Sequence, residues 1–189
     1  MPEQLRKFIE SIRINSEIAA FDEIKTKQGI ILPILQYLNW NIFDTDEVYP
    51  EYYISAYRDR VDYNLRIGGN NKVFIEVKRV KDSLEEETQL CDYANHEDVK
   101  LAIFTNGISW EFFLPRSEGT WEQRKFYTID IYQQDLDSIV SKFSDFLERE
   151  NLESGKAIEN AGIAHEGQNC FFSSFKKIKI SKLLPLFEL

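Results

Sequence analysis

The sequence predicts an α/β domain, and three observations carry that prediction. Residues 60–81 (RVDYNLRIGGNNKVFIEVKRVK) alternate apolar and polar side chains on both sides of a glycine-rich turn, the period-two signature of paired strands. Residues 3–13 and 136–147 carry apolar stripes at helical spacing. Three short apolar runs, LAIFT at 101–105, residues 109–114 and FYTIDIY at 126–132, suit buried strands.

In chain order, Leu5, Phe8, Ile9 and Ile12 make the first helical stripe. A second helical pattern is expected from Ser16, as N-cap, through Phe21, and a third apolar face follows at Ile30, Ile31, Ile34, Leu35 and Leu38, with Pro33 positioned to kink it. Glu17 and Glu23 lie in this region, where a carboxylate is ordinarily a solvated helix charge. Residues 41–57 hold strand-like pieces broken by Asp, Pro and four tyrosines, at 49, 52, 53 and 57; packing over a sheet edge suits them better than stacking on bases.

The hairpin's register follows from its pattern. Val61, Tyr63, Leu65 and Ile67 are expected on one face, with Asp62, Asn64 and Arg66 on the other; Val73, Ile75 and Val77 oppose Glu76 and Lys78 in the second strand. Paired numbers must then sum to an even total, so Asp62 faces Glu76, and an odd loop such as Gly68-Gly69-Asn70 is required. Asp62, Glu76 and Lys78 are thereby expected on one surface.

Beyond the hairpin, Ser83 and Glu86 match a capping box for a helix running to about residue 95, on which Gln89 and Tyr93 share a face. Asn106-Gly107 turns the strand at 101–105 into the next. The domain is expected to span residues 1–150, followed by a linker over 151–169, rich in Glu, Asn, Gly, Ala and Ser. A basic, aromatic tail over 170–189 would begin a second module or contact nucleic acid.

At 189 residues one α/β core is the default, and no apolar run reaches the roughly 18–20 residues of a membrane span. Two cysteines, Cys91 and Cys170, make no disulfide framework or metal-ligand spacing, and a cytoplasmic setting is expected. The net charge of −9 argues against a broad nucleic-acid footprint, yet residues 58–81 hold seven basic side chains against three acids. The hairpin is locally positive within an acidic molecule.

Two carboxylates on neighbouring strands suit Mg²⁺ or Mn²⁺, with the Val77 carbonyl as a further oxygen and Lys78 aimed at an attacked phosphate. The same spacing also describes an exposed cross-strand salt bridge, and the residues alone leave both open.

The ordered set VDY, FIEVK, QLCDY and IFTNGISWEFF, over roughly residues 17–132, resembles the N-terminal nuclease domain of type I restriction enzyme R subunits and related stand-alone restriction endonucleases of the PD-(D/E)xK superfamily. The helix from Glu23 to Asn39-Trp40 is similar to the family's leading helix. The resemblance implies a restriction-endonuclease-like mixed sheet flanked by helices and a metal-dependent DNA endonuclease of restriction or phage defence. It implies Asp62 and Glu76 as metal-binding acids, Lys78 as the catalytic lysine, Gln89 with Tyr93 as the lining pair and Glu23 as the helix acid, with Glu17 competing. Arg66, Arg79 and Tyr93 are the candidate DNA contacts. Val61 stands where the superfamily name has proline, and no motor or target-recognition domain is evident. A separately encoded specificity or motor subunit, or a homodimer, is therefore compatible. The alternative function is a nuclease-like docking module without catalysis.

Overall fold

A computed structural model describes residues 2–84 and 88–168. It holds a six-stranded mixed sheet in the order β1 (Val48–Ile54), β2 (Asp59–Ile67), β3 (Asn70–Val77), β4 (Leu101–Thr105), β5 (Ser109–Phe113), β6 (Lys125–Asp130). Neighbours are antiparallel except β3 and β4, which are parallel. A parallel pair needs a crossover, and the described part of this one is helix α4 (Thr88–His96). The expected mixed α/β architecture is what the chain adopts.

One face of the sheet is covered by α1 (Pro2–Ile14), by a helical run that follows it, and by α6 (Leu136–Leu147), while the short α5 (Trp121–Arg124) leads into β6. That run comprises α2 (Glu23–Thr26), a π-helical segment (Lys27–Ile31) and α3 (Leu32–Tyr37). Ile30, Ile31, Ile34 and Leu35 pack there with Tyr63, Leu65, Ile75 and Val77, and Trp110 meets Phe143 edge to face at 5.0 Å. Trp40, buried at the end of the leading helices, donates its Nε1–H to the Leu147 carbonyl at 2.8 Å. The opposite face is smaller: Val61, Phe74, Ala102, Phe104 and Phe113 pack against Leu90, Cys91, Tyr93 and Ala94 of α4. Pro33 sits in the first turn of α3, where its missing N–H costs little, and the irregularity lies just before it in the π-helical turn.

The hairpin keeps the expected parity near the site by another route. Tyr63 pairs with Ile75 and Leu65 with Val73, an even sum, but Ile67 pairs with Asn70 across a two-residue turn. Gly68 and Gly69 both take positive φ, 57° and 79°, as such a turn demands. The register shifts between Leu65 and Arg66, where Lys72 is the extra residue of a bulge in β3. Gly107 turns β4 into β5 at φ 85°, and a Cβ there would lie 3.0 Å from Thr26 and Ile30, so the turn is pressed against the leading helices.

The stretch expected to be a linker is helical over its described part. Helix α7 (Arg149–Ser154) ends at Gly155 in the left-handed region, and residues 156–168 form a further helix. Leu152, Ala157 and Ala161 are buried in the main core. The tail at 170–189 and Glu86 of the capping box lie outside the described residues.

Candidate functional site

The C-terminal half of β3 carries the first candidate site residues. Phe74, Glu76 and Lys78 face α4, whereas Val73, Ile75 and Val77 face the leading helices. A cleft of about 210 Å³ opens on the α4 side, lined by Asp59, Arg60, Glu76, Lys78, Gln89, Leu90 and Tyr93. Lys78 Nζ meets Glu76 Oε1 at 3.1 Å and stands 5.8 Å from the centre of the Phe104 ring. The backbone N–H of Lys78 donates to the Thr105 carbonyl at 2.8 Å, which fixes its stem to β4. Four residues named from sequence, Glu76, Lys78, Gln89 and Tyr93, are brought together here.

Asp62 is not among them. The strand alternation breaks at its position: Val61 is buried on the α4 side and Tyr63 on the helical side, correcting the expectation that both share one face. Asp62 sits at that break, where the β2–β3 ladder is open, and its Oδ2 accepts the Val77 N–H at 2.6 Å in place of a ladder bond. Its Oδ1 meets the ammonium of Lys27 from the π-helical turn. The same ammonium contacts Glu23 at 2.8 Å and Glu51 at 3.4 Å. Three carboxylates thus gather on one lysine on the helical side, and the acids expected on one surface are divided between two. The Val77 peptide links them: its N–H serves Asp62 and its neighbour is Glu76.

Burial pushes the Asp62 carboxyl above its ordinary pKa, against the opposing pull of Lys27 and the Val77 N–H. Burial works against charge on Lys27 too, but hydrogen bonds and attraction from Asp62 and Glu23 outweigh it and hold the ammonium protonated. On the α4 side, Tyr93 donates its hydroxyl to Asp59 Oδ2 at 2.6 Å; that bond, with the Arg60 N–H, holds the Asp59 carboxyl below its usual value.

The remaining candidates separate clearly. Glu23, not Glu17, reaches the acid cluster: Glu17 is exposed on a 3-10 turn capped by Asn15 rather than Ser16. Arg66 is at the hairpin's far end, donating to the Gly69 carbonyl at 2.8 Å and lying against Tyr49, so it does not enter the cleft. Arg79 is exposed and paired with Asp82 at 3.0 Å. Lys27, Asp59 and Arg60 were missed as site residues. For Lys27 a signal existed, since it follows Glu23 by four on one helical face.

The oxygens present are the kind Mg²⁺ or Mn²⁺ prefers, but among the described residues their arrangement does not close around an ion. Asp62 is held by Lys27 and Glu76 by Lys78, and among the described residues no three His, Cys, Asp or Glu groups are placed to hold a metal. No helix among the described residues is long and apolar enough to cross a membrane. Comparison with protein-family models, curated proteins and solved structures finds no match to this chain. Fold and cleft together define a mixed-sheet α/β domain with an acid–lysine cleft on the α4 side of its central strands.

Proposed function

We propose that the chain is a nuclease domain of the PD-(D/E)xK type that hydrolyses phosphodiester bonds in DNA, working with a separately encoded partner that selects the site. The observation that supports this most is the convergence of Glu76, Lys78, Gln89 and Tyr93 in one polar cleft, the first pair delivered by the hairpin's second strand and the second pair by α4, in the order the resemblance implies. In this reading Lys78 presents its ammonium to a phosphate oxygen and stabilises the charge that grows on phosphorus during attack. Glu76 accepts a hydrogen bond from the attacking water and orients it. Gln89 and Arg60 border the same space and position the backbone, while Tyr93 buttresses Asp59. Mg²⁺ or Mn²⁺ is implied by the resemblance, and the chemistry assigned to these residues is their own charge and positioning.

The test is cleavage of duplex and single-stranded DNA after EDTA treatment, with and without added Mg²⁺ or Mn²⁺. Restored cleavage, reduced at least about a hundredfold by Lys78→Ala with the fold retained, is the expected result. Equal cutting by the Lys78→Ala protein overturns the assignment. One observation favours the second reading, a nuclease-like docking module without catalysis: Asp62 is held by Lys27 on the other side of the strand from Glu76. DNA binding without cleavage, and no heat of binding on titration with Mn²⁺, would select that reading.

A further inference from the structure

On the same face of the sheet lies a larger cleft of about 690 Å³, and the proposal above gives it no role. It adjoins the Lys78 cleft by strand geometry: Glu76 pairs with Phe104 across β3–β4, and Phe104 pairs with Glu111 across β4–β5. Directly paired residues share a face, so Glu76 and Glu111 are two strand spacings apart, about 10 Å.

The walls of this cleft are of two kinds. Leu84 and Trp121 supply apolar surface, and Trp121 is half-buried, backed by Phe113 with ring centres 6.2 Å apart. Of the charged side chains among its described lining, Glu111 and Lys125 neutralise each other at 2.8 Å, and the exposed Glu122 leaves a negative charge in excess. In the sequence, Leu84 is followed by Glu85, Glu86 and Glu87, which adds to the acidic character of this stretch. Such a cleft suits an occupant that sets an aromatic side chain against Trp121 and a cation against Glu122. A nucleic-acid strand offers rings but brings phosphates, which Glu122 repels.

The chain itself carries a segment of that kind close by. In the helix over 156–168, His165 Nε2 donates to the Gln123 carbonyl at 2.7 Å, and Gln123 belongs to α5 with Trp121 and Glu122. Gln168 lies three residues further on, about 5 Å along the helix axis. The sequence then continues through Phe171, Phe172 and Phe175, and residues 170–189 hold four lysines against one glutamate. Three residues of extended chain reach about 10 Å and seven about 23 Å, so Phe171 and Phe175 are both tethered within range of the α5 wall.

We infer that this cleft is the docking site of the chain's own basic, aromatic tail, with phenylalanines of 171–175 against Trp121 and Leu84 and lysines of 176–182 meeting Glu122. The tail is then a tethered ligand of the domain rather than the start of a second module, and a partner that uses the cleft must displace it first. Neither metal nor cleavage enters this inference, so it stands or falls apart from the nuclease reading.

The experiment uses the full chain carrying Cys91→Ala, in which Cys170 is the single thiol, labelled there with a bimane fluorophore that tryptophan quenches on contact. Trp40 and Trp110 are buried, at 1% and 0% exposure, so contact quenching reports Trp121. At a tether concentration of about 1 mM, a contact of even ~0.1 mM affinity keeps the cleft about nine-tenths occupied. Emission should therefore rise several-fold on adding Trp121→Leu, should rise with Phe171→Ser plus Phe172→Ser, and should rise part of the way with Glu122→Lys. The quenching should not change on dilution. Equal emission with and without Trp121, or quenching that survives both the phenylalanine and the Glu122→Lys changes, overturns the inference. Quenching that disappears on dilution assigns the cleft to the tail of a second copy and overturns it as well. So does oligonucleotide binding that requires Trp121 and leaves the bimane emission unchanged.

Discussion

Two lysines stand on opposite sides of β3, and each is paired with carboxylates. Lys27 is enclosed, 14% exposed, and touches three acids from α2, β1 and β2. Lys78 is twice as exposed, at 28%, pairs with Glu76 two residues away on its own strand, and opens on a cleft. Charge alone does not separate a structural ion pair from a candidate reactive one. What separates them is the number of elements tied together. Lys27 joins the leading helices to the open end of the β1–β2–β3 meander, whereas the Lys78–Glu76 pair lies within one strand. Removing the first should cost folding, and removing the second should cost chemistry.

The largest expected effect tests that division directly. Lys27→Met leaves Asp62 and its half-exposed neighbours without their cation, and breaking such a buried pair from one side costs about 3 kcal/mol. Urea unfolding monitored by circular dichroism should show the midpoint fall sharply, whereas Lys78→Ala, acting on a more exposed pair, should shift stability by less than about 1 kcal/mol. Adding Asp62→Asn to Lys27→Met should recover part of the loss, because the stranded charge is then gone. Equal destabilisation by the two lysine variants would erase the distinction.

A second, smaller effect probes the peptide that links the two sides. Asp62→Asn retains an acceptor for the Val77 N–H, and Asp62→Ala does not, so the alanine variant should be less stable by a further ~1 kcal/mol. If the Val77 peptide transmits strain to Glu76, the amide resonance of Lys78 should also shift in Asp62→Ala more than in Asp62→Asn. Identical spectra for the two variants would show the sides to be independent.

Much of this was legible in the sequence, and the misses have physical causes. The alternating hairpin and the apolar runs at 101–105, 109–114 and 126–132 pointed to β2 to β6 within a residue or two of their ends, because period two and β-branched or aromatic content both point the same way. The hairpin's parity was recovered although its turn was not: a three-residue loop, and a two-residue turn with a bulge at Lys72, satisfy the same even sum. The failure at Asp62 is different in kind. Pattern reasoning assumes that alternation persists, and alternation breaks where the ladder opens and a carboxylate replaces a backbone partner. The helices over 149–168 were hidden by small residues, since Ala157 and Ala161 bury a face against the core with little apolar signal. Lys27 was signalled only by Glu23 one helical turn away, because its other partners come from β1 and β2, twenty-four and thirty-five positions away.

The α4 wall of the Lys78 side contains a thiol titration, as the Lys27 side contains that of Tyr63, which burial pushes up to about 12. Burial pushes the Cys91 thiol up from 9.0 to about 11. A group whose folded pKa is raised favours the folded state fully below its unfolded value and loses that contribution as pH rises through the folded one. Stability should therefore fall between pH 9 and about 11, and Cys91→Ala should flatten that segment of the pH profile. Alkylation by iodoacetamide at pH 8 should be roughly a hundredfold slower than for a free thiol, since the thiolate is the reactive form. Rapid labelling in the native state would show α4 to be loosely seated.

The smallest expected effect concerns the hydroxyl that closes the floor of the Lys78 cleft. Tyr93 packs at 4.7 Å from the Tyr57 ring and donates to Asp59, so Tyr93→Phe keeps the packing and deletes one charge-assisted bond. Asp59 is held below its ordinary pKa by that bond first and by the Arg60 N–H second, so the variant's Asp59 should titrate closer to the ordinary carboxylate value. The sign follows: a depressed carboxylate contributes stability above its unfolded pKa and loses it as pH falls through the folded one, so Tyr93→Phe should shrink the acid-side loss. Carboxyl carbon shifts recorded by NMR between pH 2 and 6 would read it out. Cleavage should change little, because the hydroxyl's hydrogen bond is to Asp59. A large loss of cleavage with Asp59 titrating unchanged would mean that Tyr93 acts on the substrate itself, and the wall of this cleft would then belong with its chemistry.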